Sequence, residues 1–255
     1  MRRIITNMVR QLLLGNSASL HCEKMSSEIT PITSRGKKLV VGLGNPGMNG
    51  TRHSVGMAVL AALAESLQVS DQWKPDRHVS GEVIVTAFQD TQIVLLRPKL
   101  LMNVNGVSVA KAASRFSIQP EHIVLVHDEL DKPLGKIGIK HGGSARGHNG
   151  VRSCIDCLHT DVMPRLRIGI GRPSGNTPVD RHVLGRFSKE EQNTLSFVME
   201  QSVEVLLKQI TEQQLQPTPA GGSRATRKRK KRPPSAVKEP EEKTTHSLPE
   251  LPISQ

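Results

Sequence analysis

Hydrophobic positions in the middle of the chain change period repeatedly, from short apolar or alternating stretches to longer helical spacing. The short stretches predict β-strands at 39–43, 81–88, 92–96, 123–126, 136–140 and 165–171. The helical spacing predicts helices at 53–68, 104–116, 149–158 and 188–212. This alternation predicts an α/β fold, a single domain with a twisted sheet and helices on both faces. Because only a polar turn separates the strands at 81–88 and 92–96, the sheet is predicted to be mixed rather than purely parallel.

The two ends of the chain lack this pattern. Residues 217–255 are rich in Pro, Gly, Ser, Thr, Lys and Glu, and they include only four large aliphatic side chains. Such a segment cannot bury enough apolar surface to offset chain entropy, so it is predicted to be a disordered basic tail. Residues 1–38 are predicted to be a leader, either of a targeting type or disordered. The folded domain is therefore predicted to span residues 39–216.

The net charge of +12 on 255 residues indicates an anionic partner, with nucleic acid as the first candidate. Counted by segment, the charge is +5 in the leader, +2 in the domain and +5 in the tail. Any nucleic-acid contact made by the domain must therefore come from a local patch. Aromatic residues make up only 2% of the chain, which disfavours a reader that stacks bases on aromatic platforms. The basic run at 227–232 is compatible with a nuclear signal, an RNA-binding tail or a plain solvated tail.

The first 22 residues contain three arginines and no acidic residue, and their apolar positions recur at roughly helical spacing. A basic, acid-free amphipathic start resembles a mitochondrial presequence, so a mitochondrial location is expected. A disordered leader remains an alternative, and a second start at Met25 would give a cytoplasmic form. No apolar run approaches the ~20 residues of a membrane-spanning helix, so no membrane association is expected. Three cysteines disfavour a disulfide-stapled fold.

Candidate chemistry begins after the first strand. Gly42-Leu-Gly-Asn-Pro-Gly47 has the spacing of a dinucleotide-binding loop, but Pro46 and the delayed helix count against that interpretation. The alternative is a rigid loop that turns Asn45 toward a cleft. His53 follows this loop, and as a general base it would need an acid, which Asp128 can supply at the end of another strand. The carboxyl ends of strands gather sites in α/β sheets, so these residues and the loop at 142–150 are expected to converge.

Two further asparagines, Asn103 and Asn149, are predicted to lie at helix starts, where a capping role and a substrate-binding role are both open. The acidic run at 128–131 is explained as well by a turn as by a cation site. Cys154 and Cys157 have a C-x-x-C spacing but no second cysteine pair, which favours packing on one helix face over zinc or redox chemistry. No metal site is predicted.

Several motifs then occur in the order found in one family. They are Val41-Gly-Leu-Gly-Asn-Pro-Gly47, Thr51-Arg-His-Ser-Val-Gly56, Arg97-Pro-Lys-Leu-Leu-Met-Asn103, His127-Asp-Glu-Leu-Asp131, Gly147-His-Asn-Gly150 and Arg165-Leu-Arg-Ile-Gly-Ile-Gly171. Over residues 39–210 the chain resembles the bacterial-type peptidyl-tRNA hydrolase family, and within it the animal branch. The resemblance implies a monomeric hydrolase of the ester bond between a peptide and the 3′ end of tRNA, with no metal or organic cofactor.

The resemblance also implies roles for residues at matching positions. His53 would be the general base that activates water, Asp128 would hold its basic form, and Asn45 would contact the peptide carbonyl nearest the ester. Substrate-binding roles would fall to Asn103 and Asn149, with Met102, Leu101 and His148 beside them. tRNA phosphates would meet Lys136, Lys140 and Arg167.

This sequence departs from the family pattern at two of these places. Gly138 stands where the family often has Lys, so Lys136 or Lys140 must substitute or the phosphate contact is weaker. Leu101 stands where Phe is frequent. The main rival hypothesis is a noncatalytic RNA-binding module on a hydrolase fold. Four intact residues argue against it: Asn45, His53, Asp128 and Asn149.

Overall fold

The computed structural model describes residues 36–212, which form one seven-stranded sheet with helices. The strands are β1 (Gly36–Gly42), β2 (Lys74–Asp76), β3 (Gly81–Phe88), β4 (Thr91–Pro98), β5 (Ile123–Glu129), β6 (Ile137–His141) and β7 (Pro164–Gly169). The α-helices are α1 (Val55–Ser66), α2 (Asn105–Phe116), α3 (Asn149–Leu158), α4 (Val179–Leu184) and α5 (Lys189–Glu212). Short 3-10 helices occur at Arg52–Ser54, Met102–Val104 and Pro120–His122.

The sheet is mixed, as predicted, with the strand order β2-β3-β4-β1-β5-β7-β6. β1 runs parallel to both β4 and β5, and β5 runs parallel to β7, whereas β2, β3 and β6 pair antiparallel with their neighbours. The carboxyl ends of β1, β4, β5 and β7 therefore share one edge of the sheet. Segments that leave these four ends are brought together there, which is the usual position of a site in such a sheet.

Two hydrophobic clusters cover the two faces of the sheet. Val40, Val124 and Leu166 point to one face and pack against α1 and α5. Leu39 and Leu125 point to the other face and pack against α2 and α3. Because side chains alternate along a strand, the fully apolar runs of β1 and β5 supply both clusters, as expected for strands that are buried on both faces. The prediction of helices on both faces is confirmed.

The last helix, α5, begins with a capping box. The Ser188 N–H donates to Glu191 Oε2 at 2.6 Å, and the Glu191 N–H donates to Ser188 Oγ at 3.2 Å. Glu191 also accepts two hydrogen bonds from the Arg52 guanidinium, at 2.7 and 2.9 Å. The start of α5 is therefore tied to the segment that carries His53.

Other elements differ from the predictions. β1 begins at Gly36, inside the predicted leader, and β2 and α4 are too short to show a period in the sequence. α2 ends at Phe116, as predicted, where Ser117 takes the left-handed conformation, with φ of 54°. The rest of the predicted leader and the predicted tail lie outside the described residues. Among residues 36–212, no helix is long and apolar enough to cross a membrane.

Candidate active site

A cleft of about 730 Å³ opens at the carboxyl edge of the parallel strands. Its walls are the loops that follow β1, β4 and β5, the loop before α3, and one face of α4. Every residue predicted for catalysis or substrate binding lines this cleft: Asn45, His53, Leu101, Met102, Asn103, Asp128, His148 and Asn149. The residues predicted for tRNA phosphates, Lys136, Lys140 and Arg167, do not line it.

Close backbone contact places His53 at the end of β5. A Cβ atom built on Gly56 would lie 2.2 Å from the carbonyl oxygen of Val126, and one built on Gly42 would lie 2.5 Å from that of Gly56. Only glycine permits such an approach, so the first turn of α1 rests directly on the ends of β1 and β5. His53, which immediately precedes α1, is thereby carried next to Asp128 at the end of β5.

His53 and Asp128 form the predicted pair. His53 Nδ1 lies 2.9 Å from Asp128 Oδ1 and 3.1 Å from Oδ2. Asp128 is only 3% exposed. Burial alone would raise the pKa of this carboxyl group, but the charges and hydrogen bonds of His148 and His53 hold its pKa well below the usual range. Asp128 is therefore an anion, and His53 Nδ1 carries a proton toward it. The other ring nitrogen of His53, Nε2, is left to act as a base.

His148 is a second partner of the same carboxylate, which the sequence did not predict. Its Nδ1 accepts the Val151 N–H at 3.2 Å, so the side chain caps the N-terminus of α3. With Nδ1 used as an acceptor, Nε2 must carry the proton, and it donates to Asp128 Oδ1 at 2.9 Å. His148 was predicted to lie beside the substrate. It does line the cleft, but its hydrogen bonds fix the carboxylate that orients His53.

His127 packs beneath this group and stays neutral. Its Nδ1 donates to the carbonyl oxygen of Asp128 at 2.6 Å, and its ring meets the ring of His148 edge-on with centroids 4.6 Å apart. Burial, and then the nearby charge of His148, lower the pKa of His127 to about 3. A neutral ring at this position adds no positive charge that would compete with His53 and His148 for Asp128.

Asn45 is held by both its backbone and its side chain. Its N–H donates to Ser54 Oγ at 3.2 Å, and its Oδ1 accepts the Met102 N–H at 2.7 Å. Because the carbonyl end of the amide is used by Met102, the Nδ2 donor is the free end, and it has no partner among residues 36–212. An amide donor fixed in this way is suited to a carbonyl oxygen of a bound molecule.

The glycine-rich loop does not have the context of a dinucleotide site. Residues 43–54 separate β1 from α1, whereas a dinucleotide site needs the helix to begin within the glycine fingerprint itself. In this protein the loop instead carries Asn45 to its contact with Met102. The interpretation as a rigid loop that turns Asn45 toward the cleft therefore agrees with the structure.

The outer rim of the cleft is partly apolar and carries the other two asparagines. Leu101 is 65% exposed, and Val179 and Leu184 of α4 are 43% exposed. Asn103 and Asn149 are also exposed. The capping interpretation of these two residues is wrong, because Asn103 lies inside a 3-10 helix and Asn149 is the first residue of a helix capped by His148. Their side chains remain available at the rim.

The only group of potential metal ligands among residues 36–212 is this same cluster. One ligand atom from each of His53, Asp128 and His148 lies within 4.8 Å of the others. Each histidine, however, directs a protonated nitrogen at the carboxylate, and a cation would have to displace both protons. The hydrogen bonds account for the arrangement without an ion.

Basic side chains gather on β6 and β7, beside the cleft. Arg167 is paired with Glu129 at 3.5 Å, and Lys140 donates to the carbonyl oxygen of Ser144 at 3.3 Å. Burial and the charges of Arg165, Arg146 and Arg167 lower the pKa of Lys140, so these four cations are close together. Lys136 is exposed and lies just before β6.

Lys132 occupies the position that Gly138 leaves open. A Cβ atom on Gly138 would lie 3.4 Å from Lys132 Nζ, and Gly138 is directly opposite Arg167 in the β6–β7 pair. The ammonium group of Lys132 therefore stands over β6 beside the strand position of Arg167. The substitutes predicted from the sequence were Lys136 and Lys140, and Lys132 was not among them because it lies in the preceding turn.

Comparison with known proteins identifies the family. A sequence model described as peptidyl-tRNA hydrolase matches residues 39–231. The chain belongs to the peptidyl-tRNA hydrolase family. A mouse protein named probable peptidyl-tRNA hydrolase is 55% identical over 187 residues, which cover 73% of this chain and 92% of the mouse protein. The peptidyl-tRNA hydrolase of Syntrophotalea carbinolica is 42% identical over 172 residues, which cover 66% of this chain and 88% of that protein.

The fold agrees with a solved structure of the same family. A crystal structure of peptidyl-tRNA hydrolase from Acinetobacter baumannii matches with a TM-score of 0.62 and 34% identity, over 70% of this chain and 90% of that chain. The family predicted from the motifs and the α/β fold predicted from the hydrophobic pattern are thus confirmed.

Proposed function

We propose that the protein hydrolyses the ester bond that joins a peptide to the 3′ end of tRNA. The observation that carries this proposal is the arrangement of His53 on Asp128: a buried carboxylate orients one histidine nitrogen and leaves the other free in a cleft. Membership of the peptidyl-tRNA hydrolase family supports the choice of substrate. Action as a monomer is proposed on the resemblance to this family alone.

His53 begins the reaction as the general base. Its Nε2 takes a proton from a water molecule, and the resulting hydroxide forms a bond to the ester carbonyl carbon. Asp128 stabilises the imidazolium that forms. When the tetrahedral intermediate collapses, the bond to the ribose oxygen breaks, and that oxygen takes the proton from His53 Nε2. The products are a peptide with a free carboxylic acid, which then loses its proton to water, and a tRNA with a free hydroxyl, and His53 is neutral again.

Asn45 and the rim supply substrate contacts. The free Nδ2 of Asn45 donates to a carbonyl oxygen of the peptide, and Asn103 and Asn149 offer further polar contacts at the mouth of the cleft. The exposed side chains of Leu101, Val179 and Leu184 give the peptide side chains an apolar surface. A substrate whose first residue carries an acyl group on its nitrogen offers an extra carbonyl to this set of donors, whereas a free aminoacyl group does not.

The test is the release of N-acetylated amino acid from tRNA by the full-length protein. We expect release from N-acetyl-aminoacyl-tRNA and much slower release from the unblocked aminoacyl-tRNA. Equal rates on the two substrates would contradict the role of Asn45 in recognising an acylated nitrogen. Binding of tRNA without release of amino acid would favour the noncatalytic RNA-binding module.

tRNA phosphates are proposed to meet the basic cluster on β6 and β7. Lys140 and Arg167 belong to this cluster, and Lys136 lies at its edge. Lys132 joins it because its ammonium group stands over Gly138, which faces Arg167 across the strand pair. With the domain nearly neutral overall, such a local patch is where phosphate attraction is concentrated.

Replacing Lys132 by alanine should raise KM for peptidyl-tRNA several-fold with little change in kcat, because the residue is outside the cleft. The slope of log Kd against log salt concentration for tRNA binding should fall by about one, as expected when one phosphate contact is lost. Lys74→Ala on β2 is the matched control, since it removes the same charge far along the sheet. An effect of Lys74→Ala equal to that of Lys132→Ala would show that total charge, rather than this site, controls binding.

A mitochondrial location is proposed from the basic, acid-free start of the chain. Fluorescence microscopy of the full-length protein and of a form that starts at Met25 would check it. We expect the first to lie in mitochondria and the second in the cytoplasm. The same location for both forms would show that residues 1–24 carry no targeting signal.

A further inference from the structure

The loop between β6 and α3 has to cross from one edge of the sheet to the other. β6 is antiparallel to β7, and its last residue, His141, pairs with the first residue of β7. The loop at 142–150 was predicted to reach the site from the carboxyl end of a strand, as the other loops do. That part of the prediction is wrong, because β6 is antiparallel and ends at the opposite edge of the sheet. The loop starts at the opposite edge and runs back to place His148 beside Asp128.

This loop has an unusual backbone. Gly142, Gly143, Arg146 and Gly147 all have positive φ, between 47° and 88°. Arginine at positive φ is unfavourable, so the conformation of the loop must be imposed by its surroundings. A turn in which the His148 N–H donates to the Ala145 carbonyl closes its far end.

Arg165 holds the other end of the loop, at Gly143 and Ser144. It lies on β7, is 1% exposed, and directs its guanidinium at backbone carbonyl groups. Nη1 donates to Ser144 at 2.9 Å, and Nη2 donates to Asp161 at 3.2 Å and to Gly143. Among residues 36–212 it has no ion pair with a carboxylate. A buried cation is costly, and one that bonds only carbonyl groups of two loops is placed to hold those loops.

We propose that Arg165 is a positioning residue for hydrolysis: by fixing the loop at Gly143 and Ser144, it sets the place of His148 and, through Asp128, the orientation of His53. The contacts form a continuous path from Arg165 through the loop to the base. The inference rests on the proposed function. The role assigned to Arg165 is in kcat rather than in binding phosphate, although Arg165 pairs with Lys140 across the two strands and lies two residues from Arg167 on β7.

The experiment uses Arg165→Lys and Arg165→Met in the full-length protein, each in the wild-type and in a His148→Ala background. Arg77→Met, an exposed arginine in the turn before β3, is the control. kcat and KM for N-acetyl-aminoacyl-tRNA are measured well below the unfolding midpoint of each variant. If Arg165→Met does not fold, Arg165→Lys carries the test, because it keeps the charge but has all its donors on a single nitrogen, which cannot reach three carbonyl groups.

We expect kcat to fall about 10- to 100-fold with KM nearly unchanged, as when a reacting group is slightly misplaced. In the His148→Ala background the same substitution should cost less than about threefold, because the two residues act along one path. An unchanged kcat in a folded variant, or a loss of equal size in both backgrounds, would overturn the proposal. Absence of hydrolysis by the wild-type protein would instead contradict the proposed function itself.

Discussion

Replacing His53 by alanine should lower kcat for N-acetyl-aminoacyl-tRNA by about 10²- to 10⁴-fold, the usual contribution of a positioned general base. KM should change little, because Asn45 and the rim of the cleft remain in place. Asp128 would keep its hydrogen bond from His148 at 2.9 Å, so the fold should survive with a reduced free energy of unfolding. Single-turnover release of the labelled N-acetyl amino acid would measure the effect on the chemical step.

His78→Ala is the control for this substitution. His78 is exposed in the turn before β3, and its side chain makes no hydrogen bond among the described residues. Its replacement should leave kcat unchanged. If His53→Ala and the wild-type protein release amino acid at the same rate, His53 is not the base, and the free Nε2 in the cleft has another role.

The sequence was sufficient to bring His53 and Asp128 together. Both follow short apolar runs that are typical of buried strands, and parallel strands end at a common edge. The glycines at 42 and 56 mark where the backbone approaches closely, although their partners become visible only in three dimensions. The motifs of the family then connected these residues with one reaction, and the comparisons confirmed that family.

The sequence did not predict the second side chain that donates a hydrogen bond to the Asp128 carboxylate. His148 was expected beside the substrate, and Asn149 was a candidate cap for the helix that His148 caps instead. Capping depends on the rotamer of one side chain and on the exact start of the helix, and a pattern of residues does not specify either one. Lys132 was missed for a similar reason, since its reach over Gly138 depends on the path of a turn.

Replacing Asp128 by asparagine should lower kcat by about 10²-fold or more and leave KM nearly unchanged, because the change affects the base rather than the substrate contacts. Two histidines donate to this carboxylate, His53 from Nδ1 and His148 from Nε2. An amide offers one oxygen acceptor and one nitrogen donor and carries no charge. The imidazolium that forms on His53 in the reaction would therefore lack the negative charge that the carboxylate now places beside it. The amide nitrogen would also compete for the position 3.1 Å from His53 Nδ1 that Oδ2 now holds.

Asp131→Asn provides the matched control. It makes the same change three residues further along, at an exposed carboxylate that pairs with Arg172, and should leave kcat unchanged. A rise in KM without a fall in kcat for Asp128→Asn would mean that Asp128 serves binding and not the base.

The pH dependence separates the role of Asp128 from that of its neighbours. The lowered pKa of Asp128 means that the carboxylate is ionised in the folded protein throughout a range of about pH 5–9. Its contribution to stability is present above the pKa of an unfolded aspartate and is lost only as pH falls through the lower folded-state pKa. The difference in unfolding free energy between the wild type and Asp128→Asn should therefore show no titration of this carboxyl group over that range. Chemical denaturation at pH 5, 7 and 9 would measure it. If the difference in unfolding free energy between the two proteins disappeared between pH 7 and pH 5, Asp128 would be protonated in that range. A protonated carboxyl group could not stabilise the imidazolium of His53.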